Sequence, residues 1–297
     1  MESKTKIIIY IACAVAFVFS LVVFIIEVCG HTGLRDKLIF NYDYIGENKI
    51  IFTNVGDANC TILKSGNEVA VFSFGGVLDG GNSLIKAIRK YQITTVDYAF
   101  VNITDENHLG GFMVLNNLTT INNVVSPSID DYEFNNTPTA LAAKETILSL
   151  NHEFVNLNKN YKVGNFTVTP IYYSKNALSS EGRAVIYKVT FGEYSAIIGG
   201  NFSQDIMFEN YINNELPTAD ILLLPGFSDN SYWNLSFFDD IKVKYVVSSS
   251  DYKNNLFIQN DYKLLQEKFN LYRTDVNGDI TFYFNEKISV STEKKAA

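Results

Sequence analysis

The sequence predicts a mixed α/β domain of four layers, two β-sheets packed face to face with helices on both outer sides (αββα), preceded by one membrane-spanning helix. Three observations carry that prediction. An apolar run at 7–28 holds no charge before Glu27. From residue 49 onward, short β-like segments are interleaved with segments of helical periodicity. The order of strands first and helices after occurs twice along the chain.

The apolar run reads IIIYIACAVAFVFSLVVFIIEV, and a helix of about 20 apolar residues spans a hydrocarbon core. Lys4 and Lys6 precede it, so residues 1–6 are expected in the cytoplasm and everything after Cys29 on the far side of the cell membrane. A cleaved leader fits less well, because the run exceeds the roughly 7–15 residues of such a segment and no small-residue cleavage site follows. Glu27 and Val28 are poor neighbours for acylation of Cys29, which argues against a lipid anchor. The absence of a polar face argues against a buried core helix. Residues 29–48 are weakly patterned and read as a linker.

The runs 49–53, 60–64 and 68–74, punctuated by Gly56, Gly66 and Gly75-Gly76, predict an antiparallel meander. Helical spacing predicts a helix at 83–91, then a strand at 96–103, a helix at 109–118 and a strand at 123–125. Residues 139–151 favour helix by propensity, and His152 is read as its end. The second half repeats the scheme, with strands at 166–173, 184–191 and 194–199, a helix at 204–214, strands at 220–224 and 245–248, a helix at 261–269, and strands at 271–274 and 280–284. The folded domain is expected over 49–285 and a disordered tail over 286–297.

Composition excludes several functions. With 24 Lys plus Arg against 32 Asp plus Glu, the net charge of -8 repels a phosphate backbone, so a nucleic-acid partner is disfavoured. Cys13 and Cys29 fall in or beside the apolar run, leaving Cys60 alone in the domain, too few for a disulfide framework or a Cys-rich zinc site. Only 3 histidines occur, His31, His108 and His152, and imidazole is the donor on which most hydrolytic zinc sites depend.

Seven segments in order, FTNVGDANCTIL (52–63), VAVFSFGG (69–76), VDYAFVNITDENHLGG (96–111), YSAIIGGN (194–201), ADILLLPG (219–226), KYVVSSS (244–250) and YRTDVNGDI (272–280), resemble the metallo-β-lactamase superfamily, and within it the C-terminal domain of ComEC-type DNA-uptake proteins. The resemblance covers nearly all of the domain. It implies an αββα sandwich with a dinuclear metal site on the loops at one edge of both sheets, and a domain that faces outward.

That family's central motif, His-x-His-x-Asp-His followed by a small pair, aligns with Ile103, Asp105, Asn107 and His108, then Leu109-Gly110-Gly111. His108 alone keeps the family's residue. Ile103 has no lone pair to donate, Asn107 is a neutral and poor zinc ligand, and Asp105 is a harder donor than the imidazole it replaces. The family's bridging Asp falls on Asn201, and its His-rich turn on Pro225-Gly226-Phe227-Ser228. Phe74 replaces the supporting Asp, Ala58-Asn59-Cys60 replaces the first Gly-Asp-Ala turn, and no His occurs near 254–257. Such a centre draws on roughly four or five imidazoles, which no shift of register can supply here. The scaffold and its chemistry are separable in principle.

Other candidates are weaker. Asp105 and Glu106 could hold one Mg²⁺ or Ca²⁺, though a solvated acidic loop explains them, as it does Asp57, Asp79 and Asp229. Ser228, Ser231 and Ser248-Ser249-Ser250 have no His placed as a base. The glycines at 75, 76, 80 and 81 lack the lysine of a phosphate loop. Tyr232, Trp233, Phe237 and Phe238 cluster where the family's substrate-side loops lie and are the candidate partner-binding patch. Sequons such as those at Asn102 and Asn234 are expected by chance in so Asn-rich a chain.

The expectation is therefore a membrane-anchored, extracytoplasmic protein that binds a protein or small molecule, with no catalytic residue and no cofactor. The alternative is a metal-dependent hydrolase, nuclease-like or phosphodiesterase-like, using one Zn, Mn or Mg ion at Asp105 and His108.

Overall fold

Alternation of apolar side chains decides the first sheet. The computed structural model describes residues 17–21, 47–76, 81–128, 138–173, 183–199, 218–225, 242–249 and 258–294, and the chain divides into two units, Met1–Ile45 and Gly46–Ala297. In β1 (Asn48–Phe52), Ile50 and Phe52 face one side and Ile51 the other, as the two-residue period of a strand requires. β2 (Thr61–Ser65) and β3 (Glu68–Phe72) extend β1 as an antiparallel meander. The sheet continues in parallel through β5 (Tyr98–Phe100), β7 (Val124–Ser126) and β8 (His152–Phe154). On the other side of β1 lie β16 (Ile280–Phe284) and β17 (Ile288–Thr292), giving the order β17-β16-β1-β2-β3-β5-β7-β8.

The second sheet has the order β15-β14-β13-β12-β11-β10-β9. It is antiparallel through β9 (Tyr161–Val163), β10 (Phe166–Tyr172), β11 (Ile186–Phe191) and β12 (Tyr194–Ile198). From β12 it runs parallel through β13 (Ile221–Leu223), β14 (Tyr245–Ser248) and β15 (Asn270–Arg273). A short parallel pair, β4 (Thr95–Val96) with β6 (Thr120–Ile121), stands apart.

Three apolar clusters build the layers. Phe52, Phe72, Phe100 and Phe282 of the first sheet meet Phe166, Tyr187, Ile198 and Val247 of the second. The outer face of the first sheet is covered by α1 (Asn82–Lys90), α2 (Glu106–Leu109), α3 (Phe112–Leu118) and α4 (Pro138–Ser149), through Leu84, Ile88, Leu109, Phe112, Leu115 and Ile147. Tyr262 and Leu265 of α5 (Ile258–Lys268) pack on Ile197, Leu222 and Val246 at the outer face of the second. A one-turn α6 (Thr274–Asn277) links β15 to β16. Helices outside two facing sheets form the expected αββα layers.

Several expectations need correction. Within the expected disordered tail of 286–297, the described residues 286–294 are ordered: Ile288 and Val290 alternate with Ser289 and Ser291, pack on the inter-sheet core, and form β17 against β16. Glu293 N and Lys294 N then donate to Asp279 O and Asn277 O. His152 opens β8 rather than ending a helix. The strand expected at 96–103 is divided between β4 and β5, which belong to different sheets. The helix expected at 109–118 starts earlier and breaks at Gly110-Gly111 into α2 and α3. The helix at 204–214 and the linker up to residue 46 lie outside the described residues, as does most of the 7–28 segment. Its residues 17–21 are helical with Phe17 and Phe19 exposed. Among the described residues, no helix is long and apolar enough to cross a membrane.

Candidate functional site

Three loops converge where the parallel strands of the first sheet end, the position at which open α/β sheets bind ligands. They are the turn between β1 and β2, the segment after β3, and the segment from the end of β5 into α3. Main-chain bonds mesh them: Phe74 N donates to His108 O (2.6 Å), Gly75 N to Asn59 O (2.8 Å), Asn59 N to Asn107 O (3.3 Å) and Gly111 N to Gly75 O (3.1 Å). Gly111 has to be glycine, because a Cβ there would lie 1.9 Å from Phe74 O. The second sheet reaches the same place through Ser249, whose hydroxyl donates to Ala58 O at 2.6 Å.

His108 sits at the centre, with 0% of its surface exposed. Asp105 is the N-cap of α2, and its Oδ1 accepts both the His108 backbone N–H (2.9 Å) and His108 Nδ1–H (2.6 Å). Burial alone would raise the Asp105 carboxyl, but the His108 ring and the backbone amides of His108 and Asn107 outweigh it and hold the group below its ordinary value. On the far side of the ring, Nε2 lies 2.9 Å from Asn59 Nδ2. With Nδ1–H directed at the carboxylate, Nε2 is the ring nitrogen that meets the amide. That leaves Asn59 Oδ1 buried without a hydrogen-bond partner, an uncompensated acceptor costing about 1–3 kcal/mol.

The other motif positions separate. Ile103 is buried in the apolar cluster with Ala184, Ile197 and Leu222, where it packs as a core side chain. Asn107 stays half-buried, its Oδ1 3.4 Å from where a Cβ on Gly76 would lie. Asn201 and Gly226 are outside the described residues, and so are Tyr232, Trp233, Phe237 and Phe238. His152 lies elsewhere, its Nε2 2.8 Å from Ser126 Oγ, and burial pushes it below the ordinary imidazole value. Asn102, within a sequon, is fully buried and ties the sheets together, donating to Val185 O and Ile198 O while accepting from Ser73 Oγ.

Among the described residues, the motif positions bring few zinc donors together. Ile103 offers hydrocarbon, Asn107 an amide, and His108 has both ring nitrogens committed inside the protein. Among the described residues, no group of three or more His, Cys, Asp and Glu converges. Of the residues singled out in the sequence, Asp105 and His108 are brought into contact, whereas Asn59, which meets the His108 ring, stood out only for its place in the turn that the family fills with Gly-Asp-Ala.

No family model matches the sequence, and no curated protein does. Solved structures do resemble it. YhfI from Bacillus subtilis, a metallo-β-lactamase fold protein, superposes with a TM-score of 0.52 at 10% identity, over 80% of this chain and 100% of that one. Igni18, a metallo hydrolase from Ignicoccus hospitalis, gives 0.50 at 12% identity over 80% and 100%. CmlA, a diiron β-hydroxylase from Streptomyces venezuelae, gives 0.52 at 10% identity over 82% of this chain and 55% of that one. At these identities the likeness is one of fold.

Proposed function

We propose that this chain, which has the metallo-β-lactamase fold, works by binding a ligand rather than by metal-assisted hydrolysis. It belongs with the ComEC-like members in motif order and is held on the outer face of the cell membrane by residues 7–28. The observation that carries the reading is the enclosure of His108, whose ring is spent on Asp105 and Asn59 and keeps no nitrogen for a cation. The unpartnered Asn59 Oδ1 supports binding as well, because it is the group that a ligand's hydrogen-bond donor would satisfy. Ionised Asp105, across the imidazole from it, disfavours phosphates and carboxylates, so the ligand is a small molecule or protein segment presenting a hydroxyl or amine. The aromatic segment at Tyr232, Trp233, Phe237 and Phe238 is the proposed partner contact. No cofactor is required.

Elemental analysis of the detergent-purified chain tests this. The expected result is metal well below one equivalent. Stoichiometric zinc, manganese or iron that disappears in Asp105→Ala or His108→Ala would replace this reading with the hydrolase. Protease accessibility of the domain in right-side-out against inverted membrane vesicles tests the topology, with cleavage expected only in the former.

A further inference from the structure

We infer that Asp105, His108 and Asn59 form a hydrogen-bonded brace that does without a cation the mechanical work a metal centre does at such an edge, fixing two loops to one point while a third is bonded to both through its main chain. This rests on the reading that no dinuclear centre forms. A bound metal ties loops together because its ligands must meet, and its binding free energy becomes folding free energy. Here the meeting point is an imidazole. Asp105 caps α2 and holds Nδ1, and the opposite nitrogen reaches Asn59 in a loop 49 residues earlier in the sequence. The third loop is bonded to both partners, through Phe74 N to His108 O and Gly75 N to Asn59 O. Ser249 carries the tie to the second sheet through Ala58 O.

Each member has a distinct positioning role. The Asp105 carboxylate sets the tautomer and plane of the ring, as an outer-shell carboxylate does for a metal-bound histidine. The ring is the strut, and 0% exposure protects its bonds from competition by water. The Asn59 amide is the far anchor. A cation could use His108 only by breaking one of these bonds, so adding metal brings no stability.

The test is a double-mutant cycle on the full chain in detergent, stripped with EDTA and followed by thermal unfolding. The wild-type midpoint is expected to be the same in EDTA and in excess zinc. Asn59→Ala and His108→Ala are each expected to lower it by roughly 4–8 °C, and the double variant by little more than the larger single. Additive losses would overturn the brace. Should His108→Ala not fold, Asp105 serves in its place. Asn caps a helix as well as Asp, so Asp105→Asn is expected to lose part of what Asp105→Ala loses, and Asn59→Ala to cost less in the Asp105→Ala background. An undiminished cost there would overturn the proposal. Metal in the purified protein defeats the proposed function, whereas absence of coupling in stripped protein defeats the brace alone.

Discussion

The turn between β1 and β2 is held at its two ends in opposite ways. At Asn54 the anchor is ionic: Asp279 accepts from Asn54 N (2.9 Å), Lys90 Nζ (2.7 Å) and Tyr91 OH (2.8 Å). Lys90 also pairs with Glu293 (3.2 Å), and Lys64 Nζ donates to Tyr91 O. Burial would lower the Lys90 pKa, but Asp279 and Glu293 outweigh it and raise it, while burial and then Asp279 raise that of Tyr91. At Asn59 the contact is a neutral amide on an imidazole, and one acceptor is left open. At the Asn54 end both oxygens of Asp279 are used. At the Asn59 end one buried oxygen stays unpaired, at a local cost of about 1–3 kcal/mol.

Three measurements test that contrast. Asp279→Ala, which removes the acceptor shared by Asn54 N, Lys90 and Tyr91 OH and leaves Lys90 to Glu293, should destabilise the domain by about 3 kcal/mol in urea unfolding. A loss under about 1 kcal/mol would mean the Asn54 end is no better anchored than the other. Next is the pH dependence at Asp105. Its folded value lies below the unfolded one, so its contribution is fully present above about pH 4 and is lost as pH falls through the depressed folded value. The stability gap between wild type and Asp105→Ala, expected at about 1–3 kcal/mol near neutrality, should therefore narrow steadily below about pH 4. A gap that stays constant would show that the carboxylate serves only as a helix cap. The smallest effect concerns Cys60, next to Asn59. Burial pushes its thiol up to about 12, so iodoacetamide at mild alkaline pH should label it only after unfolding. Rapid labelling of native protein would show the Asn59 end opening freely.

Most of the fold was legible because it rests on periodicity. Ile50, Ile51 and Phe52 alternate between two cores, and Leu84, Ala87 and Ile88 recur at helical spacing on α1. The misses have local reasons. β17 is an edge strand whose exposed face is serine, so its two inward residues, Ile288 and Val290, gave too faint a pattern in a polar terminus. β8 is three residues long, and its paired face is decided by β7 rather than by its own composition. The division between β4 and β5 turns on Asp97, whose carboxylate accepts from Val69 N and Asn122 Nδ2, a tertiary choice no window of sequence contains. At the site, motif order singled out Asp105 and His108, which the fold brings together at the start of α2, while the Asn59 contact depends on two loops meeting across the sheet edge. Ile103 shows the limit from the other side, since its motif position suggested a lost ligand and its surroundings make it core.

The position of β1 has a consequence for how the domain is made. Phe52 faces Thr61 across one ladder and Ile280 across the other. Of the described strands β1 leaves the ribosome first and therefore waits for β16, the last but one of them, and until then one side of the Ile50–Phe52 row offers free N–H and C=O groups to any neighbouring chain. Translation products that stop short of β16 should be sticky intermediates that depend on chaperones, whereas the finished polypeptide closes its own seam.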